Sequence, residues 1–327
     1  MKPRIAIIGA GLSGLTVANG LTGFADITLF EKSRGVGGRM STRYADPFYF
    51  DHGTQFFTAR SKAFKQFLKP YIESGLVAPW QGKVITLEAN KKVTDRLWFE
   101  PHYVACPSMN SLCKKLSEGL QITLQTEVAP LADKINNQWH LKNASGEALG
   151  IFDVVISTAP PTQTIRLFDK HLPDDCPIKS ANMLGCYTMM LGFKKPWDKS
   201  WMAAKVHNSP IEWIAINSTK PGRDAAMTSM TVHTNNAWAQ QHIDDDIAVT
   251  EALLKQELSH LMDIDVYAAD YFALHRWRYA LLEEKEKNDP YWDAQLGLAS
   301  VGDWCTASRI EDVWLSAREL ADAMTNC

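Results

Sequence analysis

Apolar residues follow one rhythm at the two ends of the chain and another in the middle. Arg4–Ile8 is a short, nearly unbroken apolar run, the pattern of a strand buried on both faces. A glycine turn follows. Leu15, Val17, Ala18 and Leu21 then give one helical face, and Ile27–Phe30 reads as a second strand. This is a βαβ opening. Phe64, Phe67, Leu68 and Ile72 predict an amphipathic helix interrupted at Pro70. Met109, Leu112, Cys113 and Leu116 mark another, with Ser108 near its start. Ile122, Leu124, Thr126 and Val128 alternate as a strand. Asp153–Ser157 is again a buried strand, ending at Thr158-Ala159-Pro160-Pro161.

From residue 162 to 285 the texture changes. Cys186–Phe193, Trp201–Val206, Glu212–Asn217, Met227–His233 and Val266–Tyr279 are extended pieces rich in aromatic and β-branched residues. One helix is predicted among them over Asp244–Met262, its leading aspartates suiting the positive end of a helix dipole. Leu281–Pro290 reads as a charged, turn-prone connector and Leu296–Val301 as a strand. Val313, Ala317, Leu320, Ala321 and Met324 form the stripe of a last helix. The outer parts therefore predict a parallel α/β, Rossmann-like domain assembled from 1–60, 105–161 and 291–327. The interior predicts an antiparallel β-sheet plus helix, a substrate domain from 61–104 and 162–290.

Composition narrows the class. A chain of 327 residues, 46% hydrophobic and 22% charged, is no disordered protein and has room for about two domains. A net charge of −3 excludes a dedicated nucleic-acid or anionic-membrane binder, which needs a basic face. No apolar run is long enough for a membrane span. The Met-Lys-Pro-Arg start superficially resembles a signal peptide, but Gly9, Gly11 and Gly14 interrupt its apolar region, so it reads as the first strand. The six cysteines show no C-x-x-C spacing, no metal pattern and no disulfide framework, and a cytoplasmic protein is expected. Eleven tryptophans either fill a large core or wall a planar ligand; composition leaves both readings open.

Gly9-Ala10-Gly11-Leu12-Ser13-Gly14 fits G-x-G-x-x-G between a strand and a helix. Gly9 allows the tight turn, Gly11 lets a pyrophosphate approach the backbone, and Gly14 lets helix and strand close up. The helix start offers free N–H groups to phosphate. Glu31 ends the next strand 17 residues beyond Gly14. There a carboxylate accepts from both hydroxyls of an adenosine ribose and repels a 2′-phosphate. A second glycine pair, Gly37-Gly38, with Arg39, is more than an NAD domain needs and favours FAD, Arg39 facing the pyrophosphate. Gly302-Asp303 follows the Leu296–Val301 strand, where an acid can hold a ribityl hydroxyl. The last helix, starting near Ile310–Val313, can aim its N-terminus at the flavin edge that becomes negative on reduction.

These segments, with Gly37–Arg43, Asp51–Arg60, His275-Arg276-Trp277-Arg278-Tyr279 and Gly302–Cys305, resemble the bacterial renalase-like flavoproteins of the flavin amine oxidase superfamily. The resemblance covers nearly the whole chain. It implies a p-hydroxybenzoate hydroxylase-like fold and non-covalent FAD. It also implies oxidation of 2- and 6-dihydro isomers of NAD(P) to NAD(P)+, with O2 reduced to H2O2. By carry-over Ser13, Glu31, Arg39, Gln55, Phe56 and Asp303 lie at the FAD. Gly9, Gly11, Gly14, Lys32, Gly38, Met40, Thr54, Val128, Ile310 and Val313 complete the expected cofactor contacts. Asp312 and Ala317 stand where the family usually carries glycine. Cys305 reads as an ordinary small buried residue.

A dihydropyridine is already a hydride donor, so the protein need only press it against the flavin and exclude water. No metal is expected. Gln55, His275 and Trp277 are the candidate catalytic residues. Alternation along Tyr271–Tyr279 puts Tyr271, Ala273, His275, Trp277 and Tyr279 on one face, either a wall for a flat ring or a face packed on the helix. Gln55 has donors and acceptors for a flavin edge or a carboxamide. His52 reads as a structural hydrogen-bonding residue rather than a general base, and Arg276 and Arg278 as solvated charges rather than phosphate ligands. An amine or polyamine oxidase is the alternative activity. A non-catalytic flavoprotein is a third reading, and a plain NAD-dependent dehydrogenase is disfavoured by the Gly37-Gly38-Arg39 and Gly302-Asp303 segments.

Overall fold

The computed structural model describes residues 1–283, 287–306 and 309–326. They form two compact units. The first comprises Met1–Gly38, Cys113–Met183 and the chain from Leu282 on; the second comprises Arg39–Leu112 and Leu184–Leu281.

The first unit is built on a six-stranded sheet. Its order is Tyr291–Asp293, Leu298–Ser300, Val154–Ser157, Arg4–Ile8, Asp26–Phe30, Gln121–Thr123. All neighbours are parallel except the antiparallel edge strand Tyr291–Asp293. The central strand is buried on both sides, as its unbroken apolar run requires: Ile5, Ala6 and Ile7 are fully buried. Helices Leu12–Gly20 and Ile310–Thr325 pack together. A Cβ on Gly20 would lie 2.7 Å from that of Ala321, so glycine there lets the two helices close. The strand expected over Ile122–Val128 is shorter. Gln125 adopts a positive φ of 53°, which ends the strand, and Val128 makes only an isolated bridge to Asn143.

The second unit holds a seven-stranded sheet. Its order is Tyr271–Leu282, Met183–Phe193, Thr228–Thr234, Ile211–Ile216, Ala203–His207, Val84–Glu88, Val93–Arg96. It is antiparallel except between Ala203–His207 and Val84–Glu88. One face carries Tyr187, Met189, Leu191, Ile214 and Val232 against Leu254, Leu258 and Leu261 of helix Ile247–Met262. That helix starts later than expected. Asp246 is its cap, accepting from the N–H groups of Ala248 (2.8 Å) and Val249 (3.3 Å), so Asp244 and Asp245 precede it. Helix Lys62–Glu73 runs past Pro70, because the proline sits in the last turn and Ser74 N–H still reaches its carbonyl.

The units divide elsewhere than at the expected boundaries. Residues 39–60 and 105–112 belong to the second unit, because Phe48 and Phe50 pack on Met190 and Asp51 is bound by Lys220 and Arg223. The connector expected over Leu281–Pro290 lies partly outside the described residues; Leu281 and Leu282 end a strand.

Candidate functional sites

In the first unit the glycine turn is a tight backbone cradle. Gly9 has φ of 108°, and a Cβ on Gly14 would meet the Gly9 carbonyl oxygen at 2.0 Å. Around Gly11 the nearest atom to an added Cβ is the Gly38 Cα at 3.9 Å, so the protein itself leaves room there. Gly37 and Gly38 lie beside this turn: Gly37 N–H donates to the Ala10 carbonyl (2.9 Å), and Gly11 and Gly37 form a bridge. The second glycine pair is thus explained by contact with the first. Helix Leu12–Gly20 has no side-chain cap, which leaves its first N–H groups, Ser13 included, for an anion.

Glu31 is buried and braces the turn. Its Oε2 accepts from Ala10 N–H (2.9 Å) and its Oε1 from Ser33 N–H (2.8 Å). A carboxylate has about four acceptor positions, so capacity remains for ribose hydroxyls. Thr158 was not foreseen. Its hydroxyl reaches the Ile8 and Gly9 carbonyls at 3.1 and 3.2 Å, and the only signal was its place at a strand end. Lys32 is exposed and donates to Gln163 (3.1 Å). Asp303 is buried in a short 3-10 turn after the Leu298–Ser300 strand. Ile310 opens the last helix, and Val313, expected in its apolar stripe, is only half-buried. Cys106, Cys176, Cys186 and Cys305 are free thiols; Cys327 lies outside the described residues.

In the second unit the loop Asp51–Phe56 lies on the sheet face opposite the long helix. Cross-strand register puts Thr188, His233, Trp213 and Lys205 in one row on that face. Asp51 is wholly buried between Lys220 Nζ (3.0 Å) and Arg223 Nη2 (2.7 Å), and accepts from Thr42 Oγ1 and Met109 N–H. Burial opposes its ionisation, but the two cations and these hydrogen bonds hold its carboxyl far below the usual range.

Gln55 requires a correction. Its Oε1 accepts from Lys220 (3.2 Å) and Thr231 (2.9 Å); its amide donates to the Asp51 and Gly53 carbonyls. The carboxamide is spent on the protein, so it does not present donors and acceptors to a ligand. Its part is to shape the loop that carries Thr54 and Phe56. Gly53 presses on Arg39, whose carbonyl oxygen would be 2.0 Å from an added Cβ and accepts from Thr54 N–H (2.8 Å). Met40, beside Arg39, is buried.

The expected alternation along the Tyr271–Leu282 strand is present. Phe272 and Leu274 pack on the helix side, whereas Tyr271 and Ala273 pack on Phe48, Phe50 and Met190. The His275 face is therefore not the one packed on the helix. His275 and Trp277 come together with His52: the Trp277 ring stacks on His52 (5.2 Å, 27°), and His275 stands edge-on to both. Trp277 N–H donates to the His52 carbonyl (3.1 Å), and His233 contacts the same oxygen (3.2 Å). Burial, then His275 and Arg43, push His52 down to about 3. Burial and Arg43 push His275 to about 4, and burial pushes His233 to about 4. These imidazoles are neutral at pH 7. Arg276 and Arg278 are tied to the turn before the long helix, through the Ile243 and Asp245 carbonyls and the Asp244 carboxylate.

Comparison with known proteins agrees with this geometry. The sequence pattern of the NAD(P)-binding Rossmann-like domain matches residues 7–71. Tryptophan 2-monooxygenase of Pantoea agglomerans pv. gypsophilae is 52% identical over 50 residues, 15% of this chain and 9% of that protein. A 4,4'-diapophytoene desaturase of Staphylococcus aureus (strain Newman) is 45% identical over 51 residues, 15% of this chain and 10% of that protein. The match thus spans about a tenth of these curated relatives. Two solved structures align over the whole chain. A protein assigned to the protoporphyrinogen oxidases, from Exiguobacterium sp. 255-15, has TM-score 0.76 at 15% identity, covering 99% of each chain. A wild-type putrescine oxidase bound to putrescine has TM-score 0.71 at 11% identity, covering 100% of each. At these identities the likeness concerns the fold alone. A cradle open at Gly11, an uncapped helix start and the buried Glu31 carboxylate fit a dinucleotide cofactor such as FAD.

Proposed function

We propose that this chain is an FAD-dependent oxidase that takes hydride from a carbon bonded to nitrogen, with 2- and 6-dihydro isomers of NAD(P) as donors and O2 as the final acceptor. Bound FAD supplies the two-electron acceptor; the donor leaves as aromatic NAD(P)+ and O2 leaves as H2O2. Gly9–Gly14 and Glu31 would hold the dinucleotide, and Asp303 a ribityl hydroxyl. His275 and Trp277 would fix the donor ring, and no proton needs to be removed from it first. With Cys106, Cys176, Cys186 and Cys305 in no disulfide, a cytoplasmic setting is part of the proposal.

The carrying observation is electrostatic. His52 and His275 stay neutral beside Arg43, and the carboxylate next to His52 in the chain, Asp51, is buried and paired with Lys220 and Arg223. Such a surface suits a neutral planar donor better than a cationic amine. The second reading, an amine or polyamine oxidase, is favoured by the fold it shares with putrescine oxidase.

Anaerobic mixing of FAD-loaded protein with each class separates them. Flavin bleaching by 2- or 6-dihydronicotinamides but not by putrescine or aromatic amines supports the proposal. Bleaching by amines alone replaces it with the second reading.

A further inference from the structure

A cluster of rings centred on Phe56 takes no part in the hydride chemistry described above. Trp80, Trp98, His102 and Trp213 lie with ring centroids 6.5, 5.2, 4.6 and 5.6 Å from that of Phe56. Trp98 and His102 stack at 3.7 Å with 20° between their planes. Trp80 is buried and anchored through its N–H to Thr219 Oγ1 at 3.1 Å. The other four rings are only half-buried. A packed core would bury such rings, whereas a recognition surface keeps part of them open.

Two further features point to a ligand of defined chemistry. The Nε1 of Trp213 is buried and has no acceptor among the described residues. An unpaired buried donor is unfavourable unless a ligand or a water supplies an acceptor atom. His102 is fixed by its Nδ1 on the Glu100 carbonyl (2.7 Å) and kept neutral mainly by burial, so the stacked pair is rigid and carries no charge. The fitting ligand is flat, uncharged and heteroaromatic, with an acceptor atom on its rim.

We propose that Phe56, Trp98, His102 and Trp213 form an adenine subsite, which binds the end of a dinucleotide substrate remote from the reacting ring. The proposal rests on the dihydronicotinamide reading of the substrate. Adenine stacks against the half-exposed rings, and Trp213, whose Nε1 is enclosed in this structure, turns on binding to present its N–H to N1, N3 or N7. Binding energy from this remote ring would then position the reacting one.

The test uses FAD-loaded protein, so that the cofactor's own adenine site is filled. ADP-ribose is titrated calorimetrically into wild type, Trp98→Leu and Trp213→Phe, the last of which keeps a ring and removes the N–H. In parallel, KM is compared for 6-dihydro-NAD and the corresponding mononucleotide. Base–aromatic stacking predicts that Trp98→Leu weakens ADP-ribose binding about tenfold or more. It also predicts a rise in KM for the dinucleotide only, in a protein of unchanged flavin content. Equal KM values for dinucleotide and mononucleotide, with no ADP-ribose binding, overturn the subsite and leave the dihydronicotinamide reading intact. ADP-ribose binding that both variants weaken, without bleaching by any dihydronicotinamide, keeps the subsite and sinks the reading of the reaction. Binding that neither variant weakens places adenine elsewhere and overturns the subsite.

Discussion

Lys220 Nζ lies 3.0 Å from Asp51 Oδ2, and both side chains are wholly buried. The pair does more than cancel charge. Lys220 also reaches Gln55 Oε1, and Asp51 also accepts from the N–H of Met109. The ion pair therefore fixes the shape of the loop running from Asp51 to Phe56. Removing one partner leaves a buried carboxylate with fewer counter-charges. Lys220→Met is expected to cost about 3–5 kcal/mol, the usual penalty for breaking a buried pair. In Lys220→Met/Asp51→Asn the combined loss should fall short of the sum of the two single losses. Chemical denaturation of the four proteins measures both; strictly additive losses would mean that the two groups act independently.

The glycine turn separates a steric role in the protein from one toward a ligand. A Cβ at position 14 collides with the Gly9 carbonyl, so Gly14→Ala should destabilise the first unit and abolish flavin retention together. A Cβ at position 11 meets nothing closer than 3.9 Å. Gly11→Ala should therefore leave the melting of the flavin-free protein near wild type while strongly reducing bound FAD. The measurement is visible absorbance of flavin per mole of purified protein, beside a melting curve of each apoprotein. Full flavin retention in Gly11→Ala would show that the dinucleotide does not approach this backbone.

The nucleotide-binding half was legible because its chemistry is local. Gly9 to Gly14 and Glu31 are close in sequence, and their spacing is dictated by one turn. The strands on either side announced themselves by apolar runs. The second unit was legible only as a texture. Nothing near Lys220 in the chain indicates that it meets Asp51, 169 residues away, because that pairing is made by sheet topology. For the same reason the carboxamide of Gln55 looked available, and the meeting of Phe56 with Trp80, Trp98 and Trp213 left no mark in the sequence. The Gln125 stop was invisible because a single positive φ leaves no mark on the alternation that precedes it.

Acid should weaken the second unit through its histidines. His52 and His233 have folded values near 3 and 4, below the ordinary 6.5, chiefly because burial disfavours the charged ring. Between these limits the unfolded chain binds more protons than the folded one, so stability rises with pH there. Their contribution is complete above about 6.5 and is lost as pH falls through the interval towards 4 and then 3. Melting temperature should accordingly decline on acidification below pH 6.5. His233→Gln, which keeps a donor for the His52 carbonyl, should flatten that slope. An unchanged slope in this variant would mean that His233 is already protonated in the folded protein.

Glu31 braces the glycine turn, and under the proposed function it also holds the cofactor's ribose. Each of its oxygens accepts one backbone N–H, from Ala10 and from Ser33. In Glu31→Gln one oxygen becomes an amide donor facing another donor, and the negative charge is lost. A hydrogen bond to a charged group contributes about 1.5–3 kcal/mol. FAD affinity should then fall by roughly one to two orders of magnitude. The melting temperature of the apoprotein should fall as well, since the turn loses a bond even without ligand. Glu31→Asp keeps the charge but retracts it, so it should lose affinity while still discriminating against a 2′-phosphate. Apoprotein titrated with FAD, and separately with 2′-phosphorylated and unphosphorylated adenosine nucleotides, reads all of these effects. If Glu31→Gln bound FAD as tightly as wild type, the acid would serve the turn alone and the ribose would lie elsewhere.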